Sequence, residues 1–155
     1  MFSLIISIIA IALVAALALA SIYYGGSAFQ EGSADAEAST VVNQGQQIQG
    51  AFTLADVNEY KYGDASATTL LARLVEGDFM KEAPVVRGEG WTADAEDGSA
   101  TLVRVPVNSL EICQKIEERF DGTETVEASA SPAEDQAFGC TANGDSSAFT
   151  AYYKL

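Results

Sequence analysis

Residues 1 to 30 carry no charged side chain, and after Tyr23 and Tyr24 the first side chain that ionises is Glu31. Within that stretch Met1 to Ile22 is an apolar run broken only by Ser3, Ser7 and Ser21. A run of this length fits one helix across about 30 Å of hydrocarbon. A helix apolar on every side has no stable place alone in water. No Lys or Arg stands ahead of the run, whereas a secretory signal peptide needs a basic n-region. Ala18-Leu19-Ala20 imitates a small-residue cleavage site, but the preferred reading is a retained anchor whose basic leader has been removed.

The remainder is long enough for one exported domain with a modest core. Eight Lys plus Arg against 22 Asp plus Glu give a net charge of −14, all of it after residue 30. Such a surface repels nucleic acid and anionic lipid headgroups, so neither is an expected partner of the head. There is no His, which removes imidazole metal ligands and the commonest general base. Cys113 and Cys140 are the only cysteines. In an exported head a disulfide is their default state. A redox-active pair is the sharper alternative, but there is no Cys-x-x-Cys spacing and only Lys115 as a nearby base.

Past the apolar run, Tyr23-Tyr24 suits a membrane interface, and Gly25-Gly26 weakens the helix by about 1 kcal/mol per glycine. A disturbance is expected there. Helical periodicity then resumes, with Ala34, Ala38, Val41, Gly45, Ile48 and Phe52 at alternating spacings of four and three. That is one face of a helix; Ser39, Asn43, Gln46 and Gln47 occupy the other. The pattern predicts a helix to about Leu54, with residues 1–26 apolar all round, residues 27–54 amphipathic and lying on a globular head, and residues 55–155 forming that head.

Within the head, Ala55 to Ala65 reads as a loop and Ala67 to Glu76 as a short helix capped by Asp64 or Ser66 and stopped by Gly77. Pro84, Gly88 and Gly90 mark irregular chain. Gly90–Ala95 and Ala100–Val107 read as strands joined at Asp97-Gly98, a hairpin signal. Pro106 cannot donate to a ladder, so pairing stops near it on one side. Asn108-Ser109-Leu110-Glu111 resembles a capping box with Asn108 as cap, opening a helix that ends at Asp121-Gly122. Thr123–Gln136 is an acidic surface loop. Asn143-Gly144 marks a turn, and Ser147–Leu155 alternates as a final strand.

The chain offers little for chemistry. Asp94, Glu96 and Asp97 beside Gly98 could hold calcium, but their order departs from the twelve-residue calcium loop, and an acidic hairpin turn is preferred. Trp91 is read as a core or interface aromatic rather than a ligand platform. No serine has a base partner in sequence context, and there is no phosphate-cradling loop or nucleotide fingerprint. No enzymatic activity, cofactor or metal is expected.

The order of parts resembles the type IV pilins, and the head looks most like the type IVb group. Phe2-Ser3-Leu4-Ile5 is similar to the opening of many mature pilins. Thr69 to Gly77 resembles the second short helix of the type IVb head. Cys113 and Cys140, with Phe149–Leu155 after them, resemble the disulfide-bounded C-terminal region. The resemblance implies an α+β fold, with a long N-terminal helix packed on a small antiparallel-sheet head. It implies a structural subunit held in the cytoplasmic membrane before assembly and polymerised afterwards into a helical filament at the cell surface. The assembly helix would use Met1, Phe2, Leu4, Ile5, Ile8, Ala12, Ala15, Ala18 and Ile22. Alanines along it would permit close helix approach. One departure concerns registry. Pilins usually carry a glutamate at the fifth mature position, where this chain has Ile5, or Ile6 counted from Phe2. Ser3, Ser7 or backbone carbonyls would then accept from the N-terminal amine. A minor, tip-like pilin and a monomeric membrane-anchored binding domain are the alternatives.

Overall fold

The computed structural model describes residues 2–60, 69–96, 99–126, 136–142 and 148–155. It divides into two compact units, Met1–Ala34 and Asp35–Leu155. The expected α+β arrangement is present: a long, initially apolar N-terminal helix and a small antiparallel sheet on which the helix packs.

Helix α1 runs from Phe2 to Val57 without interruption. The disturbance expected at Gly25-Gly26 does not occur. Both glycines stay helical; their intrinsic cost, about 1 kcal/mol each, does not break a helix that continues on both sides of them. The helix also extends a turn beyond Leu54. It closes with Tyr60 N–H donating to Ala55 O (2.9 Å) and Glu59 N–H donating to Asp56 O (2.9 Å). Glu59 takes the left-handed conformation, φ 54°, that this C-terminal motif requires.

In the second unit the predicted stripe of α1 is the buried one. Ala38 and Ile48 are fully buried, Val41 nearly so, and Ala51 and Ala55 prolong the stripe; Gly45 lies within it. A Cβ on Gly45 would come within 2.5 Å of the Tyr153 ring, so glycine here sets how closely helix and sheet approach. Two polar anchors accompany the apolar contact. Tyr153 Oη donates to Gln49 Oε1 at 3.2 Å. Trp91 Nε1 donates to Gln44 Oε1 at 2.8 Å, while Gln44 Nε2 donates to Val85 O at 3.0 Å.

Helix α2, Leu70–Glu76, buries Leu70, Leu71 and Leu74. The caps expected at Asp64 and Ser66 lie outside the described residues. Its end is a Schellman arrangement: Phe79 N–H donates to Leu74 O and Asp78 N–H to Val75 O. The left-handed residue is Asp78, φ 59°, while Gly77 occupies the cap position. Strands β1 (Val85–Val86) and β2 (Glu89–Gly90) pair antiparallel. Arg87 (φ 49°) and Gly88 (φ 87°) join them with the two positive φ angles of a type I′ turn. This hairpin replaces the irregular chain expected around Gly88 and Gly90.

Strands β3 (Thr92–Glu96), β4 (Ser99–Val107), β5 (Phe138–Ala142) and β6 (Phe149–Lys154) form a four-stranded antiparallel sheet in the order β3-β4-β6-β5. The turn expected at Asp97-Gly98 and that at Asn143-Gly144 lie outside the described residues, as does most of the acidic loop after Thr123. β3 pairs with β4 only as far as Arg104, whereas β6 pairs with β4 through Pro106 to Val107. Pairing thus stops on one side of Pro106, as its missing N–H predicts. Val103, Val105 and Val107 of β4 face the same side as Phe149, Ala151 and Tyr153 of β6 and Cys140 of β5, and all are buried. β5 adds a strand that the sequence pattern does not predict; Cys140 sits within it rather than merely ahead of the last strand.

Helix α3, Leu110–Asp121, packs on β5 and β6. Its cap is Ser109, not Asn108. Ser109 has extended backbone and its Oγ accepts from Ile112 N–H at 3.3 Å. Because β4 holds the chain extended through Val107, the first helical turn begins one residue later than the sequence pattern implies, and Glu111 becomes a first-turn carboxylate favourable to the helix dipole. Gly122, in the left-handed conformation, ends the helix where expected. Leu110, placed on the apolar face by periodicity, is 46% exposed.

Candidate functional site

The first candidate is the apolar half of α1. Among the described residues its large apolar side chains are exposed. Phe2 is 84% exposed, Leu4 67%, Ile5 52%, Ile8 59% and Ile22 73%. Ala12, Ala15 and Ala18 are exposed as well, and Met1 lies outside the described residues. A window of 18 residues reaches a mean hydropathy of 2.9 with none of it buried. By length and composition this helix is able to cross a membrane. Soluble monomers rarely expose contiguous apolar surface beyond a few hundred Å², so this one requires lipid or protein around it.

Its polar content is handled internally. The backbone is hydrogen-bonded within the helix, as hydrocarbon demands. Ser7 Oγ donates to Ser3 O at 2.9 Å, and Ser27 Oγ to Tyr24 O at 3.2 Å. Ser7 therefore keeps only acceptor capacity for an N-terminal amine. Tyr23 and Tyr24 form an edge-to-face pair with centroids 5.6 Å apart, at the level where an interfacial aromatic belt would lie.

The second candidate is the clamp between α3 and β5. Cys113 and Cys140, 27 positions apart, form a disulfide with Cα atoms 5.3 Å apart, and both are buried. One turn along α3, Glu117 is also buried, only 2% exposed, and its Oε1 accepts from the Cys140 backbone N–H. The carboxylate thereby gives one backbone N–H of the edge strand β5 a partner. A Cβ on Gly139 would lie 2.7 Å from Glu117 Oε1 and 2.6 Å from the Tyr152 hydroxyl, so glycine leaves space for both. Phe120, Phe138 and Tyr153 continue the packing, with centroids 5.5 Å and 6.1 Å apart. Periodicity finds Cys113, Ile116 and Phe120; Glu117 on the same face is disguised by its charge.

Two ion pairs fix the start of the packed half of α1: Asp35 with Arg119 of α3 (2.9 Å) and Glu37 with Arg87 of the β1–β2 turn (2.6 Å). On α3, Lys115 pairs with Glu118 (2.7 Å) and Glu124 (3.5 Å), and the Glu118 hydrogen bond raises its pKa. Just beyond, the Asp121 carboxyl is held below its ordinary value because it accepts from the Thr123 hydroxyl and N–H. Lys115 is a partly covered residue in the middle of α3, whereas Asp121 lies at the exposed end of the helix.

Asp94, one of the candidate calcium ligands, instead pairs with Arg104 at 2.7 Å. Asp97 and Gly98 lie outside the described residues. Among the described residues no group of three or more His, Cys, Asp or Glu is placed to hold a metal. Trp91 is buried and donates its N–H to Gln44, as a core aromatic does. Comparison with family models, curated proteins and solved structures yields no match.

Proposed function

We propose that the chain is a non-enzymatic structural subunit of an extracellular type IV-like filament. The apolar half of α1 would hold it in the cytoplasmic membrane before assembly and pack among copies of itself afterwards. The single observation that carries this reading is one uninterrupted helix with two kinds of surface: apolar and uncovered over residues 2–22, and one-sided and packed under its own head over residues 38–55. A simple tether needs only a flexible spacer at that junction. An apolar helical surface left uncovered in one unit, and a one-sided helical stripe packed under the head in the other, support a subunit with separate polymerising and head surfaces. The disulfide clamp fits an exported head.

Ala10, Ala12, Ala15, Ala16, Ala18 and Ala20 allow close helix approach without carboxylate registry, as small residues do in membrane helix packing. Asymmetric contacts that do not close generate helical fibres. The test is negative-stain microscopy of sheared cell-surface material with mass spectrometry of what is seen. Filaments composed of this chain are expected. A chain that stays monomeric in the membrane, with no filaments, would favour the anchored binding domain; a trace component at filament ends would favour the minor pilin.

A further inference from the structure

The head carries a groove of about 790 Å³ between the C-terminal part of α1 and the segment after α2. Gln47, Gly50, Thr53 and Leu54 form the helical wall, and Phe79 to Glu82 the other. A second hollow of about 580 Å³, sharing Gln47 and Glu82, prolongs it towards Asn43 and Val85.

Three observations bear on what fills it. The first is Gly50. Among the described residues a Cβ there would meet nothing within 4 Å, so they give no reason for a residue that costs helix stability. Gly45, by contrast, is required by Tyr153. Open space over a helical glycine is what the close approach of another chain uses. The second is apolar exposure at the same end of the helix: Leu54 is 55% and Val57 76% exposed, on a head that is otherwise strongly acidic. The third is Lys81. Arg73, Arg87, Arg104, Lys115 and Arg119 all pair with carboxylates, and Lys154 also has a partner. Among the described residues Lys81 is the one cation without an ion-pair or hydrogen-bond partner, and it is exposed. The same wall carries Glu82, which lines both hollows, so it is the unpaired Lys81, rather than the groove as a whole, that is complementary to an acidic surface in a chain of net charge −14. On the filament reading, the acidic surface each subunit meets is another copy's head.

We propose that this groove docks the head of a second copy, with Lys81 pairing a carboxylate of the neighbour and the Gly50–Leu54 wall taking its apolar contact. The inference rests on the filament reading and adds to it a lateral contact between heads. Groove and complement are different surfaces, so the contact is head-to-tail and does not close on itself.

The test has two arms, both on the full chain. Sheared filaments are treated with a carbodiimide, which joins a lysine to a carboxylate in direct contact. A covalent dimer is expected whose cross-linked peptide contains Lys81 and an Asp or Glu of another copy, and which Lys81→Gln abolishes. In the second arm Gly50→Leu fills the groove. Its head should melt at or above the wild-type temperature, because nothing in the monomer is displaced, while filament yield falls roughly tenfold, the effect of losing a central contact. Wild-type filaments without a Lys81 cross-link, together with normal assembly of Gly50→Leu, would overturn the docking site and leave the filament reading intact. A Lys81 cross-link to a different protein would overturn the second copy as occupant. A Lys81-dependent dimer in detergent, with no filaments from wild-type cells, would overturn the filament reading alone; absence of both would overturn the two together.

Discussion

Arg87 and Arg119 look alike in sequence, and each holds a carboxylate of α1, yet their surroundings differ. The Arg119–Asp35 pair is exposed on both sides, 38% and 55%, and exposed pairs contribute about 0–1 kcal/mol. Glu37 is only 11% exposed, and among the described residues its Oε1 has no hydrogen-bond partner, so Arg87 is what compensates its charge. Arg87→Gln should therefore destabilise the head by about 1–3 kcal/mol, the cost of leaving a largely covered group unsatisfied, while Arg119→Gln should cost under about 1 kcal/mol. Urea melts of the two variants check the order. The disulfide offers a larger effect. Closing a loop of this size contributes about 3–4 kcal/mol on the chain-entropy account, so Cys113→Ser should lower stability by roughly that amount and reduce filament yield. Reduction of the wild-type protein should match it in the same melt. The cysteine pairing is legible in the sequence because, once the head is read as exported, two cysteines have few alternatives. The Glu117 contribution is not, because a buried carboxylate is visible only once the edge of β5 beside it is known.

At the scale of elements, legibility tracks the length of the periodic signal. The stripe from Ala34 to Phe52 repeats over several turns and identifies the packed face of α1, although Phe52 is only partly covered and Ala51 and Ala55, which the stripe does not include, are buried beside it. The hairpin β1–β2 has two residues per strand and an arginine at a positive φ, so neither alternation nor an Asn-Gly signal marks it. β5 reads Phe-Gly-Cys-Thr-Ala, and its glycine, placed for Tyr152 and Glu117, masks the strand pattern. The choice of Ser109 over Asn108 as cap has the same origin: it is set by how far β4 pairs with β6, which is a tertiary fact. The uninterrupted passage of α1 through Gly25-Gly26 leads to a prediction. If the helix is a packing surface and those glycines are not a hinge, Gly25→Ala with Gly26→Ala should raise helicity and leave assembly close to wild type. Ala15→Asp should instead abolish filaments with the head still folded. A carboxylate near the middle of an apolar helix costs about 2.5–3.5 kcal/mol on insertion and again among apolar neighbours. Circular dichroism and microscopy separate the two outcomes, and normal assembly of Ala15→Asp would remove the polymer-core reading.

For the whole molecule, apolar attraction and charge are segregated along the chain. Residues 1 to 30 carry no charged side chain, and the net charge of −14 falls entirely on residues 31 to 155. In an array of copies, the apolar helices would attract and the acidic heads would repel within a Debye length, about 8 Å at 0.15 M salt and 30 Å at 0.01 M. A single Lys81 pair offsets only a small part of that repulsion. Lowering salt should therefore extend the repulsion to more distant heads and weaken filaments, whereas sulfate salts should strengthen them twice over, by screening charge and by favouring apolar burial. The measurement is the fraction of protein sedimenting as filament across a salt series. Lys81→Glu should shift the midpoint to higher salt, because it adds repulsion and removes an attraction. Ala15→Asp should remain unassembled at every salt, since screening the heads does not restore a broken apolar surface. The opposite slope, with filaments falling apart as salt rises, would mean that charge pairing between heads, not the apolar helix, holds the polymer together.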